Sequence, residues 1–422
     1  MLKDAQGLPV ATDSLQAVAA VDDFVDQALR YGRQAKTVVL KGLAADPNCA
    51  LLQAYAAAYY LSQENQVDRA RAAGHLVQAQ RGLDRVSRRE QLFIGAIAAW
   101  ANGSIDQAIA HHEALAEDFP RDLLSVQQGQ YHYFYRGESA HLLKIAQSVL
   151  PANRESPRLP LLYGMVAFGL EQCHQLDQAE SLGRLATELD RNNPWGHHAV
   201  AHVLDSQGRW AEGIAWMESL APTWESCNSM LYTHNWWHVA LFYLAQGNGA
   251  AALKIYDQHL WGKARQESPK DQVGAIALLL RLELKGINVG RRWQSLARYL
   301  KARVEEHALP LQDLHFVYGL TRAGQRELAE AMVEDMSRHA QTLDPDQQKL
   351  WLAVTVPAAQ GLIAHAQGQW GSAAAYLKPV LPHLARLGGS HTQRRLFQQI
   401  YQQAVARAQT NFRFAASAAV CS

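Results

Sequence analysis

The chain has 422 residues, with 40 basic against 39 acidic side chains and a formal charge of +1. No basic surplus is available to hold a phosphate backbone, which argues against a nucleic-acid partner. Hydrophobic residues make up 48% and charged residues 19%, enough apolar material for a sizeable core.

The four cysteines, Cys49, Cys173, Cys227 and Cys421, are scattered and form no C-x-x-C pair. That usage suits free thiols in a reducing compartment. The first residues, MLKDAQGLPVATDS, carry no apolar signal core, and no apolar run is long enough to cross a bilayer. The expectation is a soluble cytoplasmic protein with no membrane partner, free to form homo-oligomers.

Internal repetition organises the chain. An Ala-rich apolar helix, a Gly turn and a second helix with small residues near its start recur in AIAAWANGSIDQAIAHHEAL, AVAHVLDSQGRWAEGIAWMESL, HVALFYLAQGNGAAALKIYDQHL and GLIAHAQGQWGSAAAYLKPVL. The turn glycines are Gly103, Gly137, Gly208, Gly247, Gly286, Gly324 and Gly368, with gaps of 34, 71, 39, 39, 38 and 44 residues. The gap of 71 is two periods, and His174 takes the intervening turn position. Glycine suits such a turn because helices commonly end on a left-handed residue. A repeat of this length is a helix–turn–helix unit of the tetratricopeptide (TPR) type, whose apolar face is covered only when the next unit stacks on it. The predicted fold is therefore all-α: a single TPR-like solenoid of about ten hairpins, with no convincing strand pattern.

In chain order, the N-terminal repeats occupy residues 14–84. Hairpins follow at 89–122, 123–156 and 157–192, then a central pair at 193–222 and 233–262. The array continues at 270–306, 309–342 and 350–387, and 392–409 reads as a capping helix. The polar, Pro-containing stretches ARQESPK and TLDPDQQK are short enough to be loops between repeats. The alternating charges of ENQVDRARA and RGLDRVSRRE, and the run His111-His112-Glu113, read as solvated faces.

Chemistry concentrates in residues 193–262, which hold six of the eighteen histidines and seven of the eleven tryptophans. Asn193-Pro194 opens a helix, with Asn as cap and Pro in the first turn. His198 and His202 then stand one turn apart on one face, as do His234 and His238 in the next repeat. His198 lies ten residues before its turn glycine and His238 nine before its own, so stacking makes them neighbours. Two His-x-x-x-His pairs can grip Zn²⁺ or a similar ion, His198, His202, His234 and His238 supplying the ligands. Neither pair is His-Glu-x-x-His, so no general base is built in between. Asp257 is a further candidate ligand on the following helix. An organic-ligand pocket is the competing reading, with Trp195, Trp236, Trp237 and Tyr232 as walls and the histidines and Asn235 as polar groups. Tyr131 sits in the register of His202 and would extend the same groove.

Asn193–Gly262, together with GLPVATDSLQAVAAVDDFVDQALRYG and DPNCALLQAYAAAYYL, resembles the tetratricopeptide repeat protein 38 family. The resemblance spans most of the chain and implies an irregular, cytoplasmic TPR-like superhelix. Its motif falls here on Trp195, His198, His202, His234, Asn235, Trp237, His238, Tyr256, Asp257 and His259. It brings no secure activity with it. Two functional classes follow: a module binding a small molecule or short peptide in a concave His/Trp-lined groove, and an enzyme using the His/Asn/Asp cluster for acid–base or metal-assisted chemistry. The central first helices carry His and Trp but no Lys, which favours a compact ligand over a peptide clamp.

Overall fold

Ten consecutive helical hairpins follow one another along the chain, closed by a long terminal helix. The computed structural model describes the backbone of residues 1–420 and the side chains of residues 1–410, so Cys421 lies outside the described residues. The helices pair as α1 (Leu15–Leu29) with α2 (Ala35–Ala45), α3 (Ala50–Leu61) with α4 (Gln66–Arg81), α5 (Arg88–Ala101) with α6 (Ile105–Asp118), α7 (Leu123–Arg136) with α8 (Ser139–Ser148), and α9 (Leu159–Gln172) with α10 (Leu176–Leu189). Next come α11 (Pro194–Ser206) with α12 (Trp210–Leu220), α13 (Ser229–Ala245) with α14 (Gly249–Ile255), α15 (Pro269–Leu284) with α16 (Arg292–Leu300), and α17 (Pro310–Arg322) with α18 (Arg326–Ala340). In the tenth hairpin α19 (Pro345–Leu350) runs through a π-helical turn into α20 (Val356–Ala366), which pairs with α21 (Trp370–Leu377), and α22 (His391–Val420) closes the array. The fold is a TPR-like helical repeat.

Local chemistry starts and stops these helices where the repeat requires. Ser14, Asn65, Ser87, Asn193, Asn248, Ser268 and Asp344 each accept a backbone N–H of the first helical turn, covering donors that have no partner inside the helix. At Ser87 the cap is reciprocal, because the Glu90 carboxylate also accepts the Ser87 N–H at 2.8 Å. All seven turn glycines have positive φ, between 70° and 81°, and His174 adopts φ 58° at the eighth turn. The α3–α4 turn uses Glu64 at φ 58° and the α1–α2 turn Tyr31 at φ 52°, so the first two hairpins obey the same geometry without a glycine to advertise it.

The chain forms two compact units, one of Met1–Phe134 with Glu138–Phe242 and the other of Tyr135–Gly137 with the residues from Tyr243 onward. In the first unit α9 packs against α10, and α11 packs against both. Its core gathers Phe24, Tyr55, Phe93, Leu162, Met165, Phe168 and Val203. In the second unit α15 packs on α17 and α17 on α20, and α22 lies against α15 and α21. Arg281 of α15 donates to the Thr392 carbonyl at 2.8 Å, fastening the start of the closing helix.

The all-α architecture carries one small addition, a pair of two-residue strands at the N-terminus, Leu2–Lys3 antiparallel with Pro9–Val10. Two expectations need correction. Part of the charged run near residue 89 is interior: Arg89 is 1% exposed and donates to Asp122 at 2.6 Å and to the Tyr55 hydroxyl at 2.9 Å, while Asp4 lies 3.5 Å away. A buried guanidinium is tolerable only with such partners. His112 is also core, because α6 turns that side inward: it is fully buried, with Nδ1 2.9 Å from the Ser125 hydroxyl and its ring stacked on His132. Among the described residues, no helix is long and apolar enough to cross a membrane.

The turn geometry makes a paired test. Gly103 has φ 79° and Gly74, on the exposed side of α4, has ordinary helical φ; a Cβ at either would meet nothing within 4 Å. Gly103→Ala should cost about 1 kcal/mol through its left-handed backbone alone. Gly74→Ala should gain roughly 0.5–1 kcal/mol from a stiffer unfolded chain. Urea unfolding of the two variants measures both, and shifts of the same sign would contradict this account.

Candidate functional site

The central site is assembled from α9, α11 and α13, all within the first unit over the residues concerned. Asn193 anchors it. Its side-chain oxygen caps α11 through the Gly196 N–H at 3.1 Å, and its amide nitrogen donates to the Pro160 carbonyl at 2.7 Å. One buried side chain therefore fixes where α11 begins relative to the start of α9.

With that register set, the two His-x-x-x-His pairs meet. His198 Nε2 lies 3.1 Å from His202 Nε2 and 3.0 Å from His234 Nε2. Ring centroids of His198 and His238 are 5.0 Å apart, those of His202 and His238 4.5 Å, and those of His234 and His238 5.0 Å. One potential ligand atom from each of the four rings can be chosen so that all lie within 4.8 Å of one another. The cluster is interior rather than displayed on a surface: His198, His202 and His238 are at most 2% exposed, and His234 is half-buried.

Aromatic rings wall this centre. Trp195 stacks on His198 at 4.4 Å and on Tyr31 at 5.0 Å, and Trp237 stacks on His234 at 5.3 Å with an interplanar angle of 11°. Phe168 of α9 closes one side, 5.4 Å from His198 and 5.6 Å from His202. Beside His202 stands the fully buried Glu171, whose Oε2 is 3.9 Å from Nδ1, the ring nitrogen other than the one that meets His198. Glu171 itself accepts a hydrogen bond from the Gln172 amide.

Electrostatics follow from this enclosure. Burial, and next the neighbouring His202, His234 and His238, holds His198 well below the usual imidazole range. Burial alone pushes His234 down to about 4. Both rings are therefore neutral at physiological pH, with lone pairs available as acceptors or metal ligands. His307 in the second unit shows the opposite: burial works to lower it, yet hydrogen bonds to Asp313 at 2.5 Å and Asp335 at 3.0 Å leave it raised.

The remaining candidates divide. Asn235 lies on α13 beside His234 and is fully buried; its amide oxygen and nitrogen have no hydrogen-bonding partner among the described residues. Tyr232 and Trp237 are buried, and Trp236 is half-buried with its ring against Trp224 at 5.6 Å. His197, adjacent in sequence to the cluster, accepts the Trp224 indole N–H at Nδ1, 3.1 Å away. Tyr131 is half-buried, packs on Trp100 at 5.2 Å and donates its hydroxyl proton to Glu64 at 2.7 Å. In the second unit Tyr256 is buried, and burial drives its phenol upward. The exposed Asp257 forms a bidentate pair with Arg292 at 2.8 and 2.6 Å, which commits the carboxylate expected as a further ligand. His259 is half-buried in the π-helical turn Tyr256–Leu260.

Reasoning from sequence missed Glu171, Phe168 and Tyr31. Phe168 and Glu171 lie in MVAFGLEQ, which carries no histidine and no motif, and Tyr31 sits about 160 residues upstream of the cluster. No spacing in the chain points from them to the histidines.

No family model matches the chain. Among solved structures, it is similar to one described as a Rap protein complexed with competence and sporulation factor, at 12% identity and a TM-score of 0.46, over 79% of this chain and all of that one.

A buried histidine remote from the cluster gives a clean test of the burial argument. His315, in the second unit, is 3% exposed; burial pushes it down to about 4, against the opposing hydrogen bond to the Leu311 carbonyl. Its folded value lies below the unfolded value of about 6.5, so between them the unfolded chain binds more protons and stability rises with pH. The contribution is intact above about pH 6.5 and is lost as pH falls towards 4; at pH 5 the loss is about 2 kcal/mol. His315→Gln should shrink the fall in unfolding free energy between pH 7 and pH 5 by roughly that amount. An undiminished fall would contradict the assignment.

Proposed function

We propose that this protein is a TPR-like binding module whose recognition centre is the imidazole cluster of its central repeats, and that it takes a compact ligand there. The carrying observation is the convergence of His198, His202, His234 and His238 to within 4.8 Å in a site that is nearly closed to solvent. Buried polar groups ordinarily find partners. Four imidazoles held together need a guest that accepts their lone pairs or answers their N–H groups. The unpartnered amide of Asn235 beside them supports the same reading.

Burial also selects the size of the guest. An extended peptide needs an open track of backbone-binding side chains, whereas three of these four rings are at most 2% exposed. The resemblance to the tetratricopeptide repeat protein 38 family belongs to this proposal, because its motif residues include all four histidines, with Trp195, Asn235 and Trp237. So does the cytoplasmic location, supported by the free thiols of Cys49, Cys173 and Cys227.

Native mass spectrometry of the full chain isolated from cells tests the reading. One additional mass per chain is expected. His234→Ala, which removes the least buried of the four rings, should release it while helicity by circular dichroism stays unchanged. A mass equal to that of the bare chain, combined with no thermal shift from metal ions or from a cellular small-molecule extract, would overturn it.

A further inference from the structure

We infer that the ligand is a single divalent first-row transition-metal ion of the zinc class, held by His198, His202, His234 and His238 with Glu171 orienting His202 from behind. This rests on the reading of the cluster as a recognition centre and names what it recognises.

The first argument is geometric. An ion bound tetrahedrally by four imidazoles at about 2.0–2.1 Å sets its ligand nitrogens about 3.3–3.4 Å apart. The Nε2 atoms of His202 and His234 stand 3.1 and 3.0 Å from that of His198, and one nitrogen from each of the four rings fits within 4.8 Å. The helices already hold the ligand atoms close to coordination distance, so binding requires small ring rotations and no rearrangement of the backbone.

The second argument concerns protons. A neutral imidazole nitrogen offers either one N–H or one in-plane lone pair, so it makes one well-aligned hydrogen bond at a time. His198 Nε2 faces two partner nitrogens at hydrogen-bonding distance. Any placement of protons leaves that pair of contacts imperfectly satisfied in a buried site, where an unmet polar group costs about 1–3 kcal/mol. A cation at the centre answers all the lone pairs together.

The third argument is the shell behind the ligands. A metal-bound histidine usually turns its other nitrogen to a carboxylate or carbonyl, which fixes the ring and raises its basicity. Glu171 stands on the Nδ1 side of His202 at 3.9 Å, fully buried, and would, once ionised, place a negative charge near a site that would carry a dication. Imidazole ligands without thiolates or a carboxylate among them suit zinc and its neighbours rather than Mg²⁺ or Ca²⁺. Four protein ligands fill a tetrahedral shell, the composition of a structural or holding site rather than of a zinc that activates water. The ion would then clamp α11 to α13 and give the central repeats a metal-dependent stability.

The test uses the full chain, stripped with chelator and titrated with Co²⁺ and Zn²⁺. The expected result is one equivalent of Co²⁺ with the strong visible bands of a tetrahedral site, displaced by one equivalent of Zn²⁺ and accompanied by a rise in melting temperature. His198→Phe keeps a ring packed against Trp195 and Phe168 and should abolish the bands while the protein stays folded. Glu171→Gln should retain the bands and weaken affinity about 10–100-fold. Failure of Co²⁺, Zn²⁺, Ni²⁺ and Cu²⁺ alike to bind stoichiometrically would overturn the inference, as would binding that survives His198→Phe. If an organic mass is instead found and lost in His198→Phe, the metal is wrong and the recognition centre stands. If neither ligand is found, both fail.

Discussion

The constraint on which the centre depends is the cost of burying polar nitrogen. Each hairpin leaves an apolar face that its neighbour must cover, and at most positions Ala, Leu and Val meet that demand. In the central repeats the same inward positions of α11 and α13 carry imidazoles. Asn193 fixes the entry of α11 against α9, and the helical period brings each His pair onto one face. The polar atoms are thus forced together by the same stacking that builds the core, and an arrangement so expensive to desolvate needs a reason to persist.

The surrounding rings explain how the cluster is held. Trp195 and Trp237 lie flat against His198 and His234, and Phe168 stands against His198 and His202. These contacts fix ring planes and exclude water, and the burial they bring lowers the basicity of His198 and His234. Where the same chain uses histidine structurally, the setting differs. His307 has two carboxylates, His112 a serine hydroxyl, and His197 an indole N–H. At His198 the near neighbours of Nε2 are other imidazoles.

Much of the architecture was legible because the repeat writes its punctuation in glycine. All seven turn glycines, and the substitute His174, adopt the left-handed conformation that their spacing implied. The turns at Tyr31 and Glu64 use the same conformation without glycine and were invisible to that signal. Exposure was read less well: Arg89 and His112 looked like solvated surface, because sequence shows which face of a helix a residue occupies but not which faces a neighbouring hairpin covers. The adjacency of His198 and His238 followed from counting back from the turns. Glu171 and Tyr31 reach the centre through tertiary packing alone, and the pairing of Asp257 with Arg292 depends on a residue 35 positions away.

The central claim is that four imidazoles of one interior cluster form a single ligand site. X-ray absorption at the zinc edge of the stoichiometrically loaded protein tests it most directly. The account predicts a first shell of four nitrogens at about 2.0–2.1 Å, with the outer-shell scattering of imidazole rings. A shell dominated by oxygen, or one with fewer than three imidazoles, would contradict it.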